Sequence, residues 1–273
     1  MDDKARERVM GRLKAVIGGI FLVFVLGPFS VKSAETEPPP SLDDLVKYFD
    51  TIVFHSEFEN VQASKVIKKW TVPIRLGIRA YEEVETEEKG KTSKRLKPVK
   101  VKKPYLRFIR KHLNSLVRDT GLITEDANKT DKPPNLIINF MPRDHLGNPN
   151  LADADPKLLN KLAAQGGCYF LMWADGKTGQ INKVVIVVNS ERLLIRINHC
   201  LLEEMTQSLG LPNDTNFIKA SIFSDSSRRT ELTTTDRLIL KVLYDPRMKA
   251  GLPRDQALPL AKEIIGGLIS TQP

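Results

Sequence analysis

A mixed α/β architecture, spanning the α+β and α/β classes, is what the order of periodicities along these 273 residues predicts. Strand-like runs recur at 72–80, 136–141, 169–174 and 184–189. Apolar residues at helical spacing fill 105–118 and the stretch around 199–210. The resulting order of strand, helix, three strands, helix implies a mixed twisted sheet carrying two long helices, with a small helical C-terminal subdomain to follow. A hydrophobic content of 41% over this length supports one substantial core and does not require two.

The first 34 residues stand apart from the fold. Lys4, Arg6, Arg8, Arg12 and Lys14 precede an apolar run from Ala15 to Phe29, closed by Val31-Lys32-Ser33-Ala34. This is the pattern of a secretory signal, and the run is shorter than the ~20 residues expected of a membrane-spanning helix. The segment is either removed or kept as an inner-membrane anchor through residues 15–29, since the basic start orients both forms alike. Both forms place the domain in the periplasm or outside the cell. Residues 35–49 follow as a linker with Pro38-Pro39-Pro40 and a short helix from Leu42 to Phe49, and 50–273 form the main domain.

Within that domain, Val72 to Ala80 alternates as a strand after Trp70. Between 82 and 103, five glutamates (Glu82, Glu83, Glu85, Glu87, Glu88) are followed by a run of lysines and Arg95 around Gly90, the composition of a polar loop or long hairpin. Its lysines offer a surface for an anionic component of the cell envelope. Next, Leu106, Ile109, Leu113, Leu116 and Val117 mark a helix that Gly121 ends. The chain carries +9, of which the signal region accounts for +3. No nucleic-acid-binding motif accompanies that charge, and the compartment argues against such a partner.

Cys168 precedes the strand Tyr169 to Ala174, and Cys200 sits in the later helical segment. In an oxidising compartment the pair reads as a bridge tying sheet to helix, worth roughly 3 to 4 kcal/mol, or else as two buried thiols. His55, His112 and His145 are scattered and read as surface or structural residues.

The chemistry-bearing segment is Glu203 to Asp214, EEMTQSLGLPND. On a helical wheel His199, Glu203, Gln207 and Gly210 share one arc with Glu204 at its edge, while Leu201, Leu202, Met205 and Leu209 lie opposite. The helix is therefore amphipathic, and its polar stripe is either a solvated face or the wall of a site. Leu211-Pro212-Asn213-Asp214 turns the chain; Ser221-Ile222-Phe223 and a helix from Asp236 to Tyr244 follow.

This segment resembles the metzincin zinc endopeptidases, especially their matrix-metalloprotease-like branch, whose signature is HExxHxxGxxH. The resemblance extends over roughly 50–265. The chain also resembles an uncharacterised family of secreted bacterial proteins, grouped with the metallopeptidases, that carries an EExxQ-type helix. By that resemblance Glu204 stands at the general-base position and Gly210 at the turn glycine. Phe223 replaces the methionine of the methionine turn, and Glu203, Gln207 and Asn213 occupy the three zinc-ligand positions.

A carboxylate and two amides supply oxygen only, whereas zinc favours imidazole and thiolate and in return acidifies its bound water. The expectation is a protein without cofactor: a noncatalytic peptide- or protein-binding or assembly protein whose cleft is lined by His199, Glu203, Glu204, Gln207, Asn213 and Asp214. The alternative is an active hydrolase with Glu204 as base on an atypical metal site, zinc included, for which His199 and Glu203 (i, i+4) with Glu204 or Asp214 give a second register. A third reading retains the fold as a structural element of an envelope complex.

Overall fold

A computed structural model describes residues 39–56, 64–88, 91–148, 150 and 154–271. The expected signal or anchor at 1–34 lies outside the described residues. No helix among the described residues is long and apolar enough to cross a membrane.

One sheet organises the chain. Its strands are β1 (Ile74–Glu88), β2 (Lys91–Val99), β3 (Thr124–Glu125), β4 (Leu136–Met141), β5 (Cys168–Ala174) and β6 (Ile181–Asn189), in the order β2-β1-β4-β6-β5, with β3 pairing beside the start of β1. β1, β4 and β6 run parallel, while β2 and β5 are antiparallel to their neighbours and form the two edges. The helices are α1 (Leu42–Phe54), α2 (Lys103–Thr120), α3 (Pro156–Ala164), α4 (Leu194–Gln207), α5 (Thr234–Tyr244) and α6 (Arg254–Ser270).

β6 explains why the sheet is buried on both faces. From Val184 to Val188 its sequence is Val and Ile throughout, without the polar alternation of a half-exposed strand. Val184, Ile186 and Val188 enter a large core with α1, α2, α4, α5 and α6, whereas Val185 and Val187 enter a smaller one under α3 with Met141, Leu159, Leu162 and Tyr169. Local signals start the helices. Ser41 and Asp44 form a capping box on α1, Thr233 and Asp236 form one on α5, and Gly121 ends α2 with φ 70°.

Several expectations change at this level. α1 continues to Phe54 and buries Tyr48, Phe49, Ile52 and Val53, so it belongs to the domain rather than to a linker before residue 50. The C-terminal helices are not set apart as a subdomain: α5 and α6 share the main core, and residues 40–273 form one compact unit.

The charged insertion is the outer half of a β1–β2 hairpin. Beyond Ala80, β1 pairs with β2 alone. The register sets Glu82 opposite Lys97, Glu85 opposite Lys94 and Glu88 opposite Lys91, so the acidic strand offsets much of the basic one. At its base Glu83 accepts from Lys94 (2.7 Å) and meets Nε2 of His145 at 2.9 Å.

His112 is buried between α2 and α4, where its Nε2–H donates to Asn198 Oδ1 at 2.8 Å. Burial pushes its pKa below the usual imidazole value, with the Asn198 bond opposing. The folded chain thus holds this proton less tightly than the unfolded one. Stability is complete above about pH 6.5 and is lost as pH falls through the lower folded value. In denaturant titrations from about pH 7 down to 5, the midpoint is expected to fall, and His112→Gln, which keeps a donor for Asn198, is expected to flatten that slope.

Candidate binding groove

The groove lies between the edge strand β5 and helix α4. α4 carries Arg196, His199, Cys200, Glu203, Glu204 and Gln207 on the side that faces Gly167 to Phe170, and together they enclose a hollow of about 240 Å³. Arg192 from the preceding turn, Pro212 and Asp214 from the following one, and Asp225 and Arg228 from the loop beyond complete the wall. The bond between Cys168 and Cys200, with Cα atoms 6.0 Å apart, fixes the start of β5 to the middle of α4.

The polar stripe of α4 is therefore not a solvated face. His199, Glu204 and Gln207 are all buried; the loop before α5 meets His199 through Arg229, and the turn after α4 meets Gln207 through Asp214. His199 Nδ1 lies 2.7 Å from the carbonyl oxygen of Arg229 in that loop, which requires Nδ1 to carry the proton. Its Nε2 then faces Glu203 Oε2 at 3.3 Å, a contact that becomes favourable when either group takes a further proton. Burial and the nearby Arg196 and Arg192 lower the imidazole pKa, opposed by the Arg229 carbonyl.

Gln207 donates through Nε2 to Asp214 Oδ1 at 2.6 Å. The carboxylate oxygens of Glu203 and Glu204 and the sulfur of Cys168 lie within 4.8 Å of one another. That sulfur is held in the disulfide and is no thiolate.

Three of the residues singled out in the sequence stand elsewhere. Asn213 turns from the groove to the end of α1, where its Nδ2 donates to the carbonyl of Thr51 at 3.1 Å and its backbone N–H donates to Ile52. Gly210, with φ 113°, passes so close to the carbonyl oxygen of Lys68 that a Cβ would sit 2.0 Å from it; its role is chain packing.

Phe223 is fully buried, edge-on to Tyr48 with ring centroids 6.5 Å apart. Beside it Tyr48 donates to Ser221 Oγ (2.5 Å), and Ser221 donates to the buried carboxylate of Asp236 (2.5 Å), which also accepts from the backbone of Thr233. The groove thus unites His199, Glu203, Glu204, Gln207 and Asp214, and leaves out Gly210, Asn213 and Phe223.

A protein-family model described as "Protein of unknown function (DUF2927)" matches residues 43–263. The chain belongs to that family. The match begins in α1 and ends in α6, so every wall of the groove falls inside the DUF2927 region. No curated protein and no solved structure matches the chain.

Sequence reading missed the arginines. Arg192, Arg196 and Arg228 set three cations against the carboxylates of Glu203, Glu204, Asp214 and Asp225, and Arg192 Nη1 lies 3.6 Å from Cys200 Sγ. Arg196, Cys200, Glu203 and Gln207 follow one another at intervals of four, three and four, a signal visible in a wheel begun one turn earlier.

The hollow also continues along β5. A second cavity shares Leu162, Phe170 and Pro212 with the first and adds Leu158, Leu171, Met172 and Lys68, so the wall changes from charged to apolar between Gly167 and Met172.

Proposed function

We propose that this protein binds an extended peptide segment noncatalytically, as an added strand on β5, in a metzincin-like cleft that has given up its zinc chemistry. The observation that carries the reading is the position of β5. It is the sheet edge, and the hollow faced by α4 runs along it.

Asn189 donates its backbone N–H to the carbonyl of Gly167, and Gly167 continues the β5–β6 register opposite Asn189. By antiparallel alternation, the N–H and C=O groups of Cys168, Phe170 and Met172 point away from β6 toward the open edge. Strand addition uses such groups for affinity and the neighbouring hollows for side-chain selection. The charged end of the groove suits polar or ionic side chains, and the end near Leu158 and Met172 suits apolar ones.

The metzincin likeness rests on the order of elements, the edge strand over the helix, and Glu204 in the base position. The residues present do not fit zinc. Glu203, Glu204 and Asp214 offer oxygen, the Gln207 amide is engaged with Asp214 and Asn213 faces α1, so among the described residues of the groove a single imidazole nitrogen, His199 Nε2, stands with oxygen donors alone. A tetrahedral zinc site asks for imidazole or thiolate, and hydrolysis asks for a bound water that such ligands help acidify. A periplasmic or secreted location accords with the disulfide and with the N-terminal segment.

Phe170→Pro removes one outward N–H without touching the ladder to β6. Against Phe170→Ala, which loses the same ring from the core and the groove, it is expected to weaken capture of randomised decapeptides by a further tenfold or more, read by fluorescence anisotropy, with a thermal transition close to that of the alanine variant. Capture equal to that of the alanine variant, with an equal transition, would contradict strand addition on this edge.

A further inference from the structure

Leu193, Leu194 and Ile195 stand in a row at the start of α4 and are 74%, 49% and 56% exposed. Helical amphipathicity does not account for them, since a docking stripe on a helix recurs at three- and four-residue intervals. Three consecutive aliphatic residues form a protruding tip. Leu193 also occupies the N-cap, where Ser, Thr, Asp or Asn would satisfy the free N–H groups, and no side chain caps this helix.

The surroundings are cationic. α2 and α4 run parallel with their starts side by side: Tyr105 donates to the carbonyl of Ser190, and one to two turns on His112 meets Asn198. α2 likewise lacks a side-chain cap and has no acidic residue in its first turn. Instead Lys100, Lys102, Lys103, Arg107 and Arg110 lie within 100–110, with no acid among them and all exposed.

Lys100, Lys102 and Arg192 line a cavity of about 690 Å³ whose rim includes Leu194. Of its acidic members, Glu83 holds Lys94 and His145, Glu82 stands in register with Lys97, and Glu191 is exposed. Lysines at a helix start oppose the macrodipole, so the positive ends of two helices and their side chains add in one place.

We propose that this end of the domain docks on an anionic lipid surface. Leu193, Leu194 and Ile195 enter the boundary between headgroups and acyl chains, and Lys100, Lys102, Lys103 and Arg192 meet the phosphates. Aliphatic insertion combined with Lys and Arg is the composition of interfacial membrane contacts. Protein interfaces are depleted in lysine, and a convex aliphatic tip seats poorly on another folded surface. The contact shares Arg192 with the peptide groove and draws on no residue of the N-terminal apolar run.

The test places an environment-sensitive dye on the Ile195→Cys variant of the full chain, with the same dye on Lys177→Cys, in the exposed turn between β5 and β6, as control. Vesicles are phosphatidylcholine alone or with an added fraction of phosphatidylglycerol. The expected result is a blue shift at position 195 with anionic vesicles only, no shift at 177, and loss of the shift when Lys100, Lys102 and Lys103 are changed to Glu. Leu193→Cys is expected to report the same shift, which covers misfolding of the first variant.

No shift at either 193 or 195 with anionic vesicles would overturn the proposal. So would equal shifts at 195 and 177, persistence after charge reversal, or a shift without vesicles that grows with protein concentration, which would indicate self-association.

Discussion

Phe223→Ala is expected to destabilise the domain by about 3 to 5 kcal/mol, the range for removing a fully buried aromatic ring. Phe223 has no exposed surface, its ring meets Tyr48 edge-on, and its backbone carbonyl accepts from Thr215. The loss is large because the ring supports a polar network that the core cannot rearrange. Tyr48, Ser221 and Asp236 tie α1, the loop and the start of α5 together through buried hydrogen bonds. Phe223→Met, close in volume and able to fill an irregular space, is expected to cost less than about 1.5 kcal/mol. Urea unfolding followed by circular dichroism measures both. Equal losses for Ala and Met would show that filling the volume does not replace what the ring supplies.

Replacing both Cys168 and Cys200 by Ser is expected to lower stability by about 3 to 4 kcal/mol. The bridge closes a segment with a sequence separation of 32, and the cost follows from the freedom that this loop regains in the unfolded chain. For a domain of this size that corresponds to roughly 7 to 15 °C in the thermal midpoint. Reducing agent added to the wild-type chain should produce a drop of similar size, and the serine variant should not respond to it. A midpoint unchanged by both treatments would mean that the packing of α4 on β5 holds the groove closed without the bond.

Much of the fold was legible because strands and stops carried local signals. Leu136–Met141 is an apolar run broken at one position, Asn139, and forms β4 at those bounds, and Gly121 ends α2 in the left-handed conformation that favours glycine. α3 had readable signals too, with Asp155 as N-cap and Pro156 in the first turn, but its nine residues hold too few apolar positions for periodicity to stand out. α6 was obscured by Pro259 in its interior, whose missing N–H argues locally against helix; packing of Ala257, Ala261, Ile264 and Ile265 into the core outweighs that.

The site divides in the same way. The α4 row from His199 to Gln207 followed from helical spacing. Its burial did not, because that depends on the loop carrying Arg228 and Arg229, which has no periodicity to read. Asn213 shows the limit of motif spacing. The residue sits where the zinc-peptidase pattern places a third ligand, yet the turn after Pro212 gives its amide to the carbonyl of Thr51 near the end of α1. Asp214, one residue on, takes the place in the groove and pairs with Gln207.

The central claim is that the groove binds peptide without metal-assisted hydrolysis. The most direct measurement loads the purified full chain with excess zinc, dialyses it, counts metal per chain, and assays fluorogenic peptide mixtures with and without chelator. The account predicts less than stoichiometric zinc, capture indifferent to chelator, and no cleavage by either the wild-type chain or Glu204→Gln. One tightly held zinc per chain, with cleavage that Glu204→Gln abolishes, would contradict it.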